Sequence, residues 1–105
     1  MLRIHDVMLD VIRPLRPIAG EIERRDRDLA NQLRRAASSV ALNVAEGSGS
    51  HAGNRMQRYR TALGSARESL SCLRTAEAWG YVGALPQPVL AGMNRVIGTL
   101  VVVTR

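Results

Sequence analysis

Apolar residues recur three and four positions apart in four separate runs of this chain, and strand-like alternation never lasts. The first run spans about Leu2 to Arg25, with Ile4, Val7, Val11, Leu15 and Ile18 on one stripe. Pro14 and Pro17 fall inside it, so a kink or break is expected there. The second extends from Asp26 or Asp28, each suited to an N-cap, to Glu46, with Gly47 at the C′ position. Its stripe is Leu29, Leu33, Ala36, Ala37, Val40 and Val44. A loop, GSGSHAG, leads to a third run, capped by Asn54 and ending near Trp79 at Gly80. LPQP separates a fourth, about 87–103, with Leu90, Met93, Val96 or Ile97, and Leu100 inward. Four amphipathic helices on short connections predict a single all-α domain over 1–105, an antiparallel up-down four-helix bundle.

The third helix carries two seams. Tyr59, Leu63, Ala66, Leu70 and Leu73 form the large one; Ala62, Ser65, Ser69, Cys72 and Ala76 form a small one beside it. Two seams imply two neighbours, the second from the same chain or from another copy. The small seam is taken as the candidate oligomer seam of a homo-oligomer. Gly64 costs helix stability by roughly 1 kcal/mol relative to Ala, which a close backbone approach would explain. Cys72 sits in a helical pattern and reads as a small apolar group; one cysteine makes no internal disulfide.

All fifteen basic residues are Arg, and the formal net charge is +6. The excess is concentrated in residues 29–74, where seven Arg face only Glu46 and Glu68. Arg60, Arg67 and Arg74 step by seven and form one line; Arg55 and Arg58 lie nearer the loop. Such a line can bind successive phosphates without reading sequence. The alternative is a solvated face whose Arg stems cover apolar edges.

Polar residues also flank the second helix: Gln32, Arg35, Ser39, Asn43 and Glu46. Ser65 and Glu68 are one turn apart on the third. A hydrolytic pair of Glu46 and Glu68 needs a cleft and a raised pKa, and helices lined by Ala, Ser and Gly leave little room. His5 and His51 supply no metal-ligand spacing, so neither catalytic residues nor metal ligands are assigned. The structural reading has Arg35 pairing with an acid on a neighbouring helix and Asn43 bonding a backbone group exposed at the helix end. Asn43 and Glu68 would then fix register.

The segments QLRRAASSVALNVAEGSG (32–49) and ALGSARESLSCLRTAEAWGYV (62–82) resemble the small four-helix bundle family of proteins encoded by intervening sequences in bacterial 23S rRNA genes. That family also includes the accessory variability determinant proteins of diversity-generating retroelements. The matching positions are Arg35, Ala36, Ser39, Asn43, Val44, Ala45, Glu46 and Gly47, then Ala62, Gly64, Ser65 and Glu68, then Trp79, Gly80 and Tyr81. The chain departs from the pattern at Ser50, where a basic residue is usual, at Met56 and Tyr59, where Phe is usual, and in its two first-helix prolines. The resemblance implies a bundle that assembles as a ring, commonly a pentamer, with no catalytic centre. In the retroelement branch it implies a basic scaffold that binds nucleic acid and partners a reverse transcriptase.

The expectation is a non-enzymatic, self-associating bundle whose Arg-lined face meets RNA or DNA, with no cofactor. Its runner-up is an adaptor whose basic face meets an acidic protein, and an enzyme working through Glu46 and Glu68 stands third. MLRIHDVMLDVIR is broken by charges and LVVV at 100–103 is short, so neither a signal peptide nor a membrane span is expected, and a cytoplasmic protein is.

Overall fold

The computed structural model describes residues 3–105, so the expected start at Leu2 lies outside the described residues. Four helices follow in order: α1 (Ile4–Glu23), α2 (Arg27–Ser48), α3 (Ala52–Ala78) and α4 (Gln87–Val103). Each packs on two others, as α1–α2, α2–α3, α3–α4 and α4–α1, which closes a four-helix bundle. No strand occurs among the described residues. The α2–α3 contact is the most extensive of the four. There Ser48 meets Tyr59, Glu46 meets Arg58 and Ser39 meets Ser65, so the index falls on α2 as it rises on α3 and the pair is antiparallel.

The inner stripes follow the predicted spacing with additions, but Val7, Leu29, Leu63, Leu70 and Leu90, expected inward, are only half-buried. Ile4, Met8, Val11, Leu15, Ile18 and Ile22 line the core from α1. Leu33, Ala36, Ala37, Val40 and Val44 do so from α2, and Val89, Met93, Val96 and Leu100 from α4. Leu85, in the α3–α4 connection, also turns inward.

Of the kink or break expected in α1, the break does not occur, for the helix is continuous through Pro14 and Pro17. Each proline leaves one carbonyl four residues back without its N–H partner. Pro17 is exposed and Pro14 only half-buried, so water can reach that side of the helix. A helix-interior Pro costs about 3 kcal/mol. Full burial of each of Val11, Leu15, Ile18 and Ile22 contributes about 1.5–3 kcal/mol, and a break would expose them.

The second loop is also shorter than expected. α2 continues to Ser48 and α3 starts at Ala52, so only Gly49, Ser50 and His51 connect them. Asn54 falls inside the first turn of α3 and does not cap it; His51 stands at the N-cap without a side-chain bond. Asp26 does cap α2, accepting from the Leu29 N–H at 2.9 Å. Gly47 is not a C′ residue. It is buried in the last turn of α2, and a Cβ there would lie 2.5 Å from Tyr59 Cε1. Its glycine is required by the Tyr59 ring, not by a turn. The left-handed position belongs to Gly80, at φ 76°. Its N–H donates to the Glu77 carbonyl at 3.0 Å and the Tyr81 N–H to that of Ala76 at 2.9 Å, a Schellman end for α3.

Gly64 corrects another expectation. It is exposed, and a Cβ there would meet no atom within 4 Å, so no close approach within the protomer explains it. Gly64→Ala should therefore raise stability by up to about 1 kcal/mol. Gly47→Ala should lower it by about 1–3 kcal/mol, because Tyr59 has to give way. Urea unfolding at unchanged slope measures both; a Gly47→Ala protein as stable as its parent would remove the ring contact from this account.

Candidate functional site

The polar flank of α2 lies along the seam with α3. At its centre Ser65 donates its hydroxyl to Ser39 Oγ at 2.8 Å. Asn43 Nδ2 donates to the same oxygen at 3.1 Å and to the Ser39 carbonyl at 2.9 Å. The Asn43 amide nitrogen thus bonds within its own helix and not, as the sequence suggested, to a backbone group at the helix end. Its Oδ1 accepts from Arg58 at 3.4 Å, and Arg58 also pairs with Glu46 at 2.9 Å. Nearer the turn, Ser48 Oγ lies 3.2 Å from the Tyr59 hydroxyl.

The carbonyls that end α2 are satisfied here. Arg55 donates to Gly47 O at 3.4 Å and to Ser50 O at 3.2 Å, and Ser50 Oγ donates to Glu46 O at 2.6 Å. A guanidinium at a helix C-terminus also meets the negative end of the helix dipole. Arg55 and Arg58, expected as ligand-binding residues, are therefore both tied into the α2–α3 turn.

Further along, Arg35 and Glu68 line one shallow hollow with Asp28, Asn31 and Gln32. Neither Arg35 nor Glu68 forms an ion pair among the described residues, contrary to the expected Arg35 partnership. Glu46 lines a different groove, with Arg34, Arg35, Leu42 and Arg58. Arg58, its partner across the seam, is ten residues before Glu68 on α3. At 1.5 Å rise per residue that is about 15 Å along the axis. Two carboxylates acting on one bond stand within about 10 Å of each other.

The small seam of α3 is consumed inside the protomer. Ala62, Ser69, Cys72 and Ala76 are all buried, and Ser65 is held by Ser39. Ser69 donates to the Ser65 carbonyl at 2.8 Å, so its buried hydroxyl is satisfied. The second neighbour of α3 is a helix of the same chain, which corrects the assignment of this seam to an oligomer contact. Burial pushes the Cys72 thiol above its usual range, and Glu68 adds to the effect.

The outer side of α3 is different. Arg60, Arg67 and Arg74 are all exposed, spaced about 10.5 Å apart along the helix. Arg74 pairs with Glu77 at 3.0 Å. Arg60 and Arg67 have no acidic partner among the described residues.

Ser39→Ala and Ser65→Ala should each cost about 1 kcal/mol, and a double-mutant cycle should return a coupling of similar size. Asn43→Leu should cost about 1–3 kcal/mol, whereas Glu68→Ala, having no bond to lose, should stay within about 0.5 kcal/mol. Strict additivity of the two serine variants would show that their contact carries no energy. In native protein, Cys72 should alkylate at least tenfold more slowly than in denaturant; equal rates would contradict its burial.

No curated protein and no solved structure matches the chain. The family model described as 23S rRNA-intervening sequence protein matches residues 7–90, from the first turn of α1 into α4. With four helices and a match that spans most of its length, the chain belongs to the 23S rRNA-intervening sequence protein family.

Proposed function

We propose that this chain is a non-catalytic, self-associating scaffold that binds RNA or DNA through its Arg-lined face, without strong sequence preference. The observation that carries this reading is the exposed Arg60–Arg67–Arg74 line, two of whose guanidiniums lack an acidic partner. An unpaired surface Arg offers its donors to phosphate at little cost in broken contacts. The formal net charge of +6 adds long-range attraction to any polyanion. The separation of Glu46 and Glu68 along the seam argues against a shared hydrolytic role, and Glu46 is engaged by Arg58 instead.

Self-association, with a pentameric ring as the form the family resemblance implies, needs a face other than the small seam of α3. Leu42 is 63% exposed in the groove beside Arg35, and Gly64 leaves room over the backbone of α3. Both are surfaces a second copy could cover. Light scattering on the purified protein measures the mass directly.

Binding should weaken steeply with salt, because phosphate neutralisation releases counterions. Arg60→Glu, Arg67→Glu and Arg74→Glu together should abolish the shift of RNA and duplex DNA and leave mass and melting unchanged. Each single Arg→Ala should lower the slope of log K against log salt by about 0.9 on duplex. A parent protein that shifts neither polymer at low salt is not a polyanion scaffold, and its basic face would then be read as a surface for an acidic protein.

A further inference from the structure

Two of the three aromatic residues, Trp79 and Tyr81, come together at the end of α3. Their rings stack with centroids 6.2 Å apart and 15° between planes. The backbone fixes this pairing. Gly80 at φ 76° reverses the chain, and the Tyr81 N–H bond to the Ala76 carbonyl holds Tyr81 back against the helix end. Tyr81 is half-buried, but Trp79 is 70% exposed, an unusual state for the largest apolar side chain. Packing of the bundle does not require it there.

Beside this platform lie cations. Tyr81 lines a hollow of about 470 Å³ with Pro17, Gly20, Glu21, Arg24 and Arg25, where α1 ends. Arg24 and Arg25 are exposed and form no ion pair among the described residues. Glu21 shares the hollow, so only its Arg24–Arg25 side suits an anion. Trp79 itself lies five residues beyond Arg74, about 7.5 Å further along α3.

We infer that Trp79 and Tyr81, with Arg24 and Arg25, form a stacking site for an unpaired nucleobase and its adjoining phosphate. An open indole face takes any base, because every base has a π-face, and the guanidiniums take the phosphate attached to it. A cationic ligand suits the aromatic rings but is repelled by Arg24 and Arg25. An acidic peptide suits the arginines but leaves the indole unused. Bases inside a duplex are sealed by their neighbours, so the site selects single strands and strand ends. The inference extends the scaffold reading: the Arg60–Arg67–Arg74 line holds backbone of either kind, and the platform adds a preference for unpaired bases.

The chain has one tryptophan, so its emission reports this site alone. Titration with oligouridylate should quench it, and a long blunt duplex that still shifts on a gel should quench it little. Trp79→Ala should weaken oligouridylate binding about five- to a hundredfold, the range of base–aromatic stacking, and leave duplex binding unchanged. Trp79→Phe should retain most of the affinity. Single-strand binding with unchanged emission, or with Trp79→Ala equal to parent, overturns the stacking site and leaves the scaffold reading intact. Failure to shift either polymer overturns the scaffold reading; the platform then stands alone if uridine monophosphate still quenches Trp79, and falls with it otherwise. Quenching by a proline-rich peptide but by no oligonucleotide overturns the inference in favour of a protein partner.

Discussion

Helices α2 and α3 approach closely because almost nothing stands between them. The facing positions are Ala, Ser and Gly, and at Gly47 even a methyl group would collide with the Tyr59 ring. A seam of small residues gains little from burial per side chain, since the transfer energy scales with apolar area. It gains from dense packing instead, where many weak contacts add. Where the seam is fully buried, as at Ser69, no water is left to satisfy a polar group, so the hydroxyl must find a partner in the protein. Ser39, Ser65, Ser69 and Asn43 do so with one another and with the backbone. No buried side-chain nitrogen or oxygen among the described residues is left without a bond.

That constraint sorts the arginines. Those whose position on α3 faces the seam edge or the turn are drawn into it: Arg58 to Glu46 and Asn43, Arg55 to the carbonyls that close α2. The exposed ion pairs among them contribute little stability each, but they hold side chains in place. Arg60 and Arg67 point away from both neighbouring helices and keep their donors free. The division between structural and available charge on α3 therefore follows from which side of the helix is packed.

Much of this was legible in the sequence. The three-and-four spacing located all four helices, and α4 was bounded correctly at 87–103. Caps were readable where a short acidic side chain leads the helix, as at Asp26, and where glycine must turn left-handed, as at Gly80. Three features were not. Pro14 and Pro17 signal a break locally, but tertiary burial of the stripe between and around them overrides the local signal. Gly47 looks like a helix stop in the linear string, because the ring that needs its missing Cβ is twelve residues away. The small seam of α3 looks like a second interface, and it is one, but the number of chains supplying its neighbours is a property of topology and not of periodicity. The Trp79–Tyr81 pair is not legible there either: three scattered aromatics carry no spacing signal and read as too few to stack on bases, and only the turn at Gly80 brings two of them together.

These features also constrain how copies of the chain could meet. With α3 buried on two sides by its own protomer, its remaining outer surface carries the arginine line. Two copies brought together through that surface would oppose like charges, with attraction from few apolar side chains to offset it. At physiological salt such repulsion reaches only about 8 Å, so it acts on contacts and not on distant neighbours. The proposed self-association and polyanion binding would therefore either use separate faces or be linked. In the first case an assembly would leave its arginines outward, and its formation would be indifferent to nucleic acid. In the second a phosphate backbone lies between copies and neutralises both, so assembly strengthens when the polyanion is added. The exposed Leu42 on α2, away from the line, favours separate faces, because it offers apolar area for a second copy without bringing Arg60 and Arg67 together.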